Sequence, residues 1–436
     1  LIDAMNYRDV VMFPYYALMF AWTGIFGDSE LALRAPSVIA MVGAVAVTAL
    51  LATKLFGNRA GLYAGLVLVA IPSISRNAHE ARVYAFVVLL AVVVTYVFTR
   101  SIAAQLPRSE FRWWVGYAAA VALLGAAHLL ALTVLVVHAL VVLSRGVGAR
   151  SWRTPIGWLC ATAIGVLPTL WLVRVGSEQR TTIAWLTPPK PSDLVVFPGN
   201  LFGAYAIGAA GSVAMVIAGT VLILAAIACR RLDSNTLLLA GSVAVPVLLL
   251  VAISLVGPVV LWHPRYLLFV VPFVAILAGK ALTELPVKAA GVVALVVLVF
   301  AAPIHVKIRQ PHAHAGYDAR AMSRVLGAHA RPSDAVMFSG AELWHIRNSF
   351  LYYVPADQRP QDPLVNANLL QGRDVTDAAT PLASFDRVWL VRKGSMDSSL
   401  RGLEPGKSDL LQESFHQTER RESGHMTFTL FERNAQ

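Results

Sequence analysis

The feature that most constrains this chain is a succession of long apolar stretches that ends near Val306. A bilayer core about 30 Å thick is crossed by a helix of about 20 apolar residues, more than a buried helix of a water-soluble protein needs. Pro36–Leu55, Val83–Phe98, Ile156–Val173, Ile207–Ala228, Leu237–Leu255, Tyr266–Ala278 and Ala289–Pro303 meet or approach that length. Ala60–Ile74, Trp113–Ala127 and Leu129–Leu143 are shorter and fit tilted spans. Composition agrees: 57% of the 436 residues are hydrophobic and 14% charged, against about 45–50% and about 25% in soluble domains. The expected fold is therefore mainly α, a polytopic membrane helical bundle of about ten spans over residues 1–306. The apolar segment Val10–Phe26 is expected to lie against the membrane.

The charges orient the bundle. If Pro36–Leu55 runs inward, the inner connections carry Lys54 and Arg59, then Arg100, Arg108 and Arg112, then Arg145, Arg150 and Arg153. Arg230 with Arg231 and Lys280 with Lys288 complete the set, and few acids accompany them. Short basic loops stay on the cytoplasmic side. The net charge of +11 is thus a topology signal, and no nucleic-acid partner is expected. With ten spans starting outside, the segment from 307 to 436 also lies outside. The expected location is the cell membrane, with membrane lipid as a constant partner.

Beyond Val306 the sequence changes character. A basic, His-rich connector precedes an amphipathic helix at Tyr317–Ala330. Ala335–Ser339, Arg387–Arg392 and His425–Glu432 read as strands, so residues 307–436 are expected to form an extracytoplasmic soluble α/β domain. Cys160 and Cys229 fall in apolar spans and are read as small buried hydrophobes.

Polar residues that could carry chemistry collect on the outer face. The first outer segment, residues 1–35, holds Asp9, Tyr15, Tyr16, Asp28, Glu30 and Arg34. The short second loop packs Arg76, His79, Glu80, Arg82 and Tyr84 between two spans. Such charge at a membrane face is costly unless paired or holding a ligand. Val175–Ala206 adds Glu178, Arg180, Trp185, Lys190 and Asp193, and a late loop reads His263-Pro264-Arg265-Tyr266. Guanidinium groups suit a lipid phosphate, a carboxylate suits deprotonation of a hydroxyl, and aromatic rings suit sugar stacking or a lipid groove.

At these residues the sequence resembles a known family. Asp9-Val-Val-Met-Phe-Pro-Tyr-Tyr16, with Phe26-Gly-Asp-Ser-Glu-Leu-Ala-Leu-Arg-Ala-Pro-Ser37, looks like the first outer loop of polyprenyl-phosphate-sugar-dependent C-type membrane glycosyltransferases. These are related to protein O-mannosyltransferases (glycosyltransferase family 39) and aminoarabinose transferases. His79-Glu-Ala-Arg-Val-Tyr84 resembles their Glu-Ala-Arg-x-Tyr signature, and Arg265-Tyr266-Leu-Leu-Phe their late Arg-Tyr-Leu motif. The resemblance implies inverting transfer of a sugar, hexosyl or mannosyl in type, from a polyprenyl-phosphate donor to an extracytoplasmic glycan, lipid or protein acceptor. It implies catalysis by a carboxylate, for which Asp9 is the candidate in this chain, and donor binding by His79, Glu80, Arg82, Tyr84, Arg265 and Tyr266. No cofactor is required by the residues present, and a divalent metal is left open. The family's acidic Asp-Glu motif would fall before Leu1, which is expected if a first span precedes this sequence. Where many relatives carry His three positions after the loop Asp, this chain has Met12.

Each residue also has a plainer role. Asp9 could cap the helix starting near Phe13, Glu80 and Arg82 could pair with each other, and Arg265 with Tyr266 could anchor a span end. Arg34 is read as pairing with Glu30. His128 and His138 are read as satisfied core histidines, His305, His312 and His314 as a solvated connector, and Trp113-Trp114 as an interfacial belt. The rival functions are a multi-span transporter or lipid-carrier flippase, and a non-catalytic homologue of the transferase. The absence of an internal repeat and the collection of charge at one face favour the enzyme.

Overall fold

The computed structural model describes residues 10–104, 107–149, 152–179, 183–203, 209–313, 316–339, 343–365, 378–395 and 400–435. The chain divides into two compact units, Leu1–Val306 and Lys307–Gln436.

The first unit is helical. In order it contains α1 (Phe13–Phe26), α2 (Glu30–Phe56), α3 (Asn58–Ala70), α4 (Pro72–Ala78), α5 (Tyr84–Ser101), α6 (Pro107–Ala127) and α7 (Val134–Ala149). Then follow α8 (Arg153–Glu178), α9 (Pro191–Gly203), α10 (Ala209–Ala228), α11 (Ser234–Val256), α12 (Val271–Thr283) and α13 (Val287–Lys307). Tight 3₁₀ turns, Leu129–Thr133 and Pro264–Val270, lead into α7 and α12. Eight of the described helical stretches are long and apolar enough to cross a membrane, against the expected ten or so. The difference lies in two segments. Ala60–Ile74 does not form one span, because Pro72 lacks an amide hydrogen and its ring favours an extended residue before it; Ile71 has ψ 117° and the chain splits into α3 and α4. α6 is 21 residues long, but Arg108, Glu110 and Arg112 in its first turns dilute its hydropathy.

α12 is the centre of this unit. Every residue from Val271 to Leu282 is buried. The candidate span Pro264–Thr283 is 89% buried, while the spans of α8 and α13 are 22% buried and present apolar side chains outward, as lipid-facing helices do. Small residues allow the close packing. A Cβ on Gly279 would stand 2.7 Å from the Ala64 amide nitrogen and 2.9 Å from the Ala60 carbonyl oxygen, so α12 and α3 touch backbone to backbone. At the end of α12 the Lys280 ammonium is buried and bonds the carbonyls of Ala228 and Arg231, Asp233 Oδ2 at 3.0 Å and Thr236 Oγ1 at 2.5 Å. Lys280 was expected as a basic residue of an inner connection, and packing makes it a clamp as well. Arg230 and Arg231 remain exposed beside it. Two further expectations are corrected. Cys160 is exposed and Cys229 half-buried, because the apolar face of a span points to lipid as readily as to the core. Trp114 is buried against Tyr117 rather than lying in a belt.

The second unit holds a four-stranded sheet of order β1 (Ala335–Ser339), β2 (Arg387–Lys393), β4 (Met426–Arg433), β3 (Phe415–Ser423). β1 and β2 are parallel, and the other pairs are antiparallel. Val336, Phe338, Trp389 and Phe428 face a core shared with the helix Arg320–His329 and with Phe350, whereas Met337, Leu390 and Phe431 face Leu382 and Leu411 on the other side. Buried on both faces, β1 and β2 need continuous apolar runs, which is what the sequence shows. β3 was not expected: its side chains His416, Gln417, Glu419, Arg420 and Arg421 are polar because it is an edge strand, and charge on an edge hides the alternation that marks a strand.

Candidate functional site

Helix α4 sets out one wall of the site. Ser73, Arg76 and Asn77 lie on one of its faces and Glu80 continues that stripe just past its end, by the three-to-four spacing of a helical turn. This wall faces a cleft whose other side is Asn200 and Leu201 of α9 with Pro264, Arg265 and Leu268 of the 3₁₀ turn before α12. Arg76 Nε donates to Glu80 Oε1 at 3.0 Å, both side chains being largely buried. The Asn77 amide donates to the Ser73 carbonyl at 2.8 Å, which pins its side chain along the helix.

Arg265 joins this cleft to an aromatic cluster. Its guanidinium carbon lies 5.4 Å from the ring centre of Tyr84, the first residue of α5, a cation–π contact. Beyond it the rings run Tyr84 to His128 at 6.1 Å, His128 to Tyr266 at 5.4 Å, and Tyr266 to His263 at 5.4 Å, with Trp185 against His263 at 5.5 Å. His263 Nδ1 accepts the Arg265 backbone N–H at 3.2 Å, which caps the turn and fixes the neutral tautomer. Burial first, and then the Arg265 charge, pushes the His263 imidazole down to about 4.

Arg82 stands at the edge of the cluster and is exposed. A tight turn, closed by its amide on the Glu80 carbonyl at 2.8 Å, carries it out of the Arg76–Glu80 stripe. Its own carbonyl accepts the Ser37 hydroxyl at 3.3 Å, tying the second loop to α2. Tyr15 of α1 packs on Phe86. Burial raises its phenol above the usual range, against smaller opposing pulls from Ser37 and Arg82.

The buried polar atoms of this region are not all satisfied. Ser73 Oγ and His128 Nδ1 make no hydrogen bond within the described structure. Each such atom costs about 1–3 kcal/mol unless something else meets it, so two of them beside Arg265 and its aromatic cluster mark a place where a ligand or water completes the bonding.

The expected residues divide. Arg82, Tyr84, Arg265 and Tyr266 come together with Glu80 close by. His79 does not join them; it is exposed and its Nδ1 meets the Ser75 carbonyl at 2.7 Å. Asp9 lies outside the described residues, as do Arg180 and His314. Next to Asp9, Val10 is buried and its N–H donates to Gln179 Oε1 at 2.9 Å, at the end of α8. Glu80 pairs with Arg76 rather than Arg82, because helical spacing brings 76 and 80 together. His128 is not a satisfied core histidine, whereas His138 is, between Tyr117 Oη and Thr95 Oγ1. Arg34 does pair with Glu30, at 3.2 Å. His305 meets the Ala70 carbonyl and His312 packs on His425. Among the described residues no three His, Cys, Asp or Glu side chains gather as metal ligands. Ser73, Asn77 and Asn200 were missed, although the polar stripe 73-76-77-80 within an apolar region was a legible signal.

Comparison with known proteins bears on the fold that carries these residues. Residues 11–173 match the dolichyl-phosphate-mannose-protein mannosyltransferase family. The crystal structure of ArnT from Cupriavidus metallidurans in the apo state superposes over 95% of this chain and 86% of its own, with a TM-score of 0.61 at 15% identity. This chain has the C-type glycosyltransferase fold. ArnT bound to undecaprenyl phosphate superposes over 95% of this chain and 87% of its own, at 14% identity and TM-score 0.61. The arabinofuranosyltransferase AftD from Mycobacteria covers 96% of this chain but 35% of its own, at 16% identity and TM-score 0.50. No curated protein matches the chain by sequence. The helical bundle and the small C-terminal sheet therefore belong to a fold shared with membrane glycosyltransferases, at sequence identities that speak to architecture alone.

Proposed function

We propose that the protein is a membrane glycosyltransferase that moves a sugar from a polyprenyl-phosphate donor to an acceptor on the outer face of the cell membrane. The observation that carries this reading is the convergence, at one end of the bundle, of Arg265 over Tyr84 with exposed Arg82 and the largely buried Arg76–Glu80 pair. A relative in fold, ArnT, is described with undecaprenyl phosphate bound, and the matched family is described by a dolichyl-phosphate-mannose donor.

In this reading the polyprenyl tail stays among the lipid-facing helices and its phosphate reaches Arg265 and Arg82. Guanidinium groups suit phosphate because they donate in pairs and keep their charge when partly buried. Tyr84 and Tyr266 wall the headgroup. A carboxylate takes the proton of the acceptor hydroxyl, whose oxygen attacks the anomeric carbon from the face opposite the phosphate. The anomeric C–O bond breaks, the configuration inverts, and the lipid phosphate leaves with the bonding electrons, its charge held by the arginines. Asp9 is our candidate for the base.

The test is transfer by the full-length protein in detergent or proteoliposomes, from polyprenyl-phosphate-linked sugars to an envelope glycan extract. Arg265→Ala should remove donor binding. Asp9→Asn should retain binding while lowering transfer by about 10²–10⁴-fold, the usual contribution of a general base. Binding without transfer in the unaltered protein would support a non-catalytic homologue, and movement of the lipid between leaflets without transfer would support a flippase.

A further inference from the structure

The cleft beside Arg265 has a chemistry of its own. Its walls carry Ser73, Asn77, Asn200 and the Arg76–Glu80 pair. The pair cancels its charge locally, and the Glu80 carboxylate would repel a phosphate placed there. The remaining groups, a hydroxyl and two amides, both donate and accept. Ser73 is 3% exposed, and its Oγ has no partner within the described structure. The cleft is narrow, with room for a group about the size of one water molecule. A phosphate does not fit that description, and neither does a whole sugar ring. One hydroxyl or hydroxymethyl group does.

We propose that this cleft reads one hydroxyl of the donor sugar, with Ser73 and Asn200 as specificity-determining residues. The assignment rests on the donor reading above. Arg265 is shared by the cleft and the aromatic cluster, and a phosphate held there carries two groups, an apolar polyprenyl chain and the donor sugar, of which only the sugar has hydroxyls to offer the polar cleft. The acceptor is attached to nothing at that point. Ser73 Oγ then gains the partner it lacks, and the Asn200 amide offers a second donor and acceptor beside it. A site built to bond a hydroxyl discriminates strongly against ligands that lack it, because its own polar groups are left unpaired.

The experiment compares the full-length protein with Ser73→Ala and Asn200→Ala in lipid nanodiscs. Affinity is measured for undecaprenyl phosphate and for undecaprenyl phosphate bearing mannose, glucose or arabinose, together with the unfolding midpoint of the unliganded protein. The unaltered protein should bind at least one glycosylated lipid more tightly than the bare lipid. Each variant should lose that gain by about three- to tenfold, the range for a neutral hydrogen bond, and should bind the bare lipid as before. Ser73→Ala should leave the unliganded midpoint unchanged or raised, since it removes a buried hydroxyl without a partner. The proposal is overturned if the gain survives in both variants, if the bare lipid is weakened equally, if no glycosylated lipid is preferred, or if Ser73→Ala lowers the unliganded midpoint. Failure of the unaltered protein to bind undecaprenyl phosphate at all would overturn the donor reading itself, and the cleft assignment with it.

Discussion

At the scale of single residues, position decides which charge is available. Arg76 and Arg82 are six positions apart, yet Arg76, on helix α4, is committed to Glu80 and Arg82 is exposed without an ion-pair partner among the described residues. Arg82→Ala should therefore lower turnover by about ten- to a hundredfold, the equivalent of one charge-assisted bond of about 1.5–3 kcal/mol, with little change in the unfolding midpoint. Arg82→Lys should restore part of that loss, since an ammonium cannot make the planar two-point contact. Unchanged transfer by the alanine variant would leave Arg82 with no part in donor handling. His263 makes a prediction about pH. Its ordinary value is 6.5 and burial with the Arg265 charge pushes it to about 4. Above 6.5 the imidazole is neutral in both folded and unfolded chains, and the stability from burying it is fully present. Between 6.5 and about 4 only the unfolded chain takes up the proton, so stability falls as the pH is lowered. The midpoint should drop more between pH 7.5 and 5 for the unaltered protein than for His263→Gln; parallel curves would remove His263 from the acid response.

At the scale of elements, the bundle depends on close approach at its central helix. Gly279 of α12 has the backbone of α3 where a side chain would go, with neither Ala60 nor Ala64 able to move it aside. Gly279→Ala gains helix propensity worth about 1 kcal/mol, but forces two packed helices apart at a cost of about 1–3 kcal/mol. The net change should be a lower unfolding midpoint in detergent. Gly291, on α13, faces open space, and Gly291→Ala should be neutral or stabilising. Equal midpoints for the two variants would show that the α3–α12 contact has room to relax. The Lys280 clamp acts beside this contact, where its ammonium also lies 4.9 Å from the Phe56 ring and so draws the end of α2 to the start of α11.

At the scale of the whole molecule, the helix ends sort by charge. The Arg145 guanidinium meets the Ile102 carbonyl, Arg153 pairs with Glu110, and Asn235 donates to the Leu55 carbonyl. These contacts join connections that were read as inner, while Arg82, Tyr84 and Arg265 join connections read as outer. Our reading puts residues from Lys307 onward outside the cytoplasm. A reporter active only in the cytoplasm, fused at Gln436, should be silent, and one active only outside should be bright. The reverse pattern would place the proposed donor site on the cytoplasmic face.

Much of the architecture was legible because a bilayer imposes a local rule. Each span must supply its own apolar length and satisfy its own backbone, so α2, α5, α8, α11 and α13 announce themselves in composition, as do the doubly buried strands β1 and β2. Edge strand β3 and the broken segment α3–α4 escaped, one because solvent exposure removes the apolar pattern, the other because a single proline outweighs an apolar run. The site was legible in part. Arg82, Tyr84, Arg265 and Tyr266 stand out as polar residues between apolar stretches, where charge at a membrane face is costly unless it meets a ligand or a partner. Which arginine is free, and which polar atoms lack partners, follows from how α4, α9 and the turn before α12 pack together. Those segments are far apart in sequence, at Ser73, Asn200 and Arg265. The sequence by itself determined the membrane body and the residue types at its polar face; only tertiary packing decided their pairing, because an ion pair or an orphaned hydroxyl is a property of distance between segments and not of either segment alone.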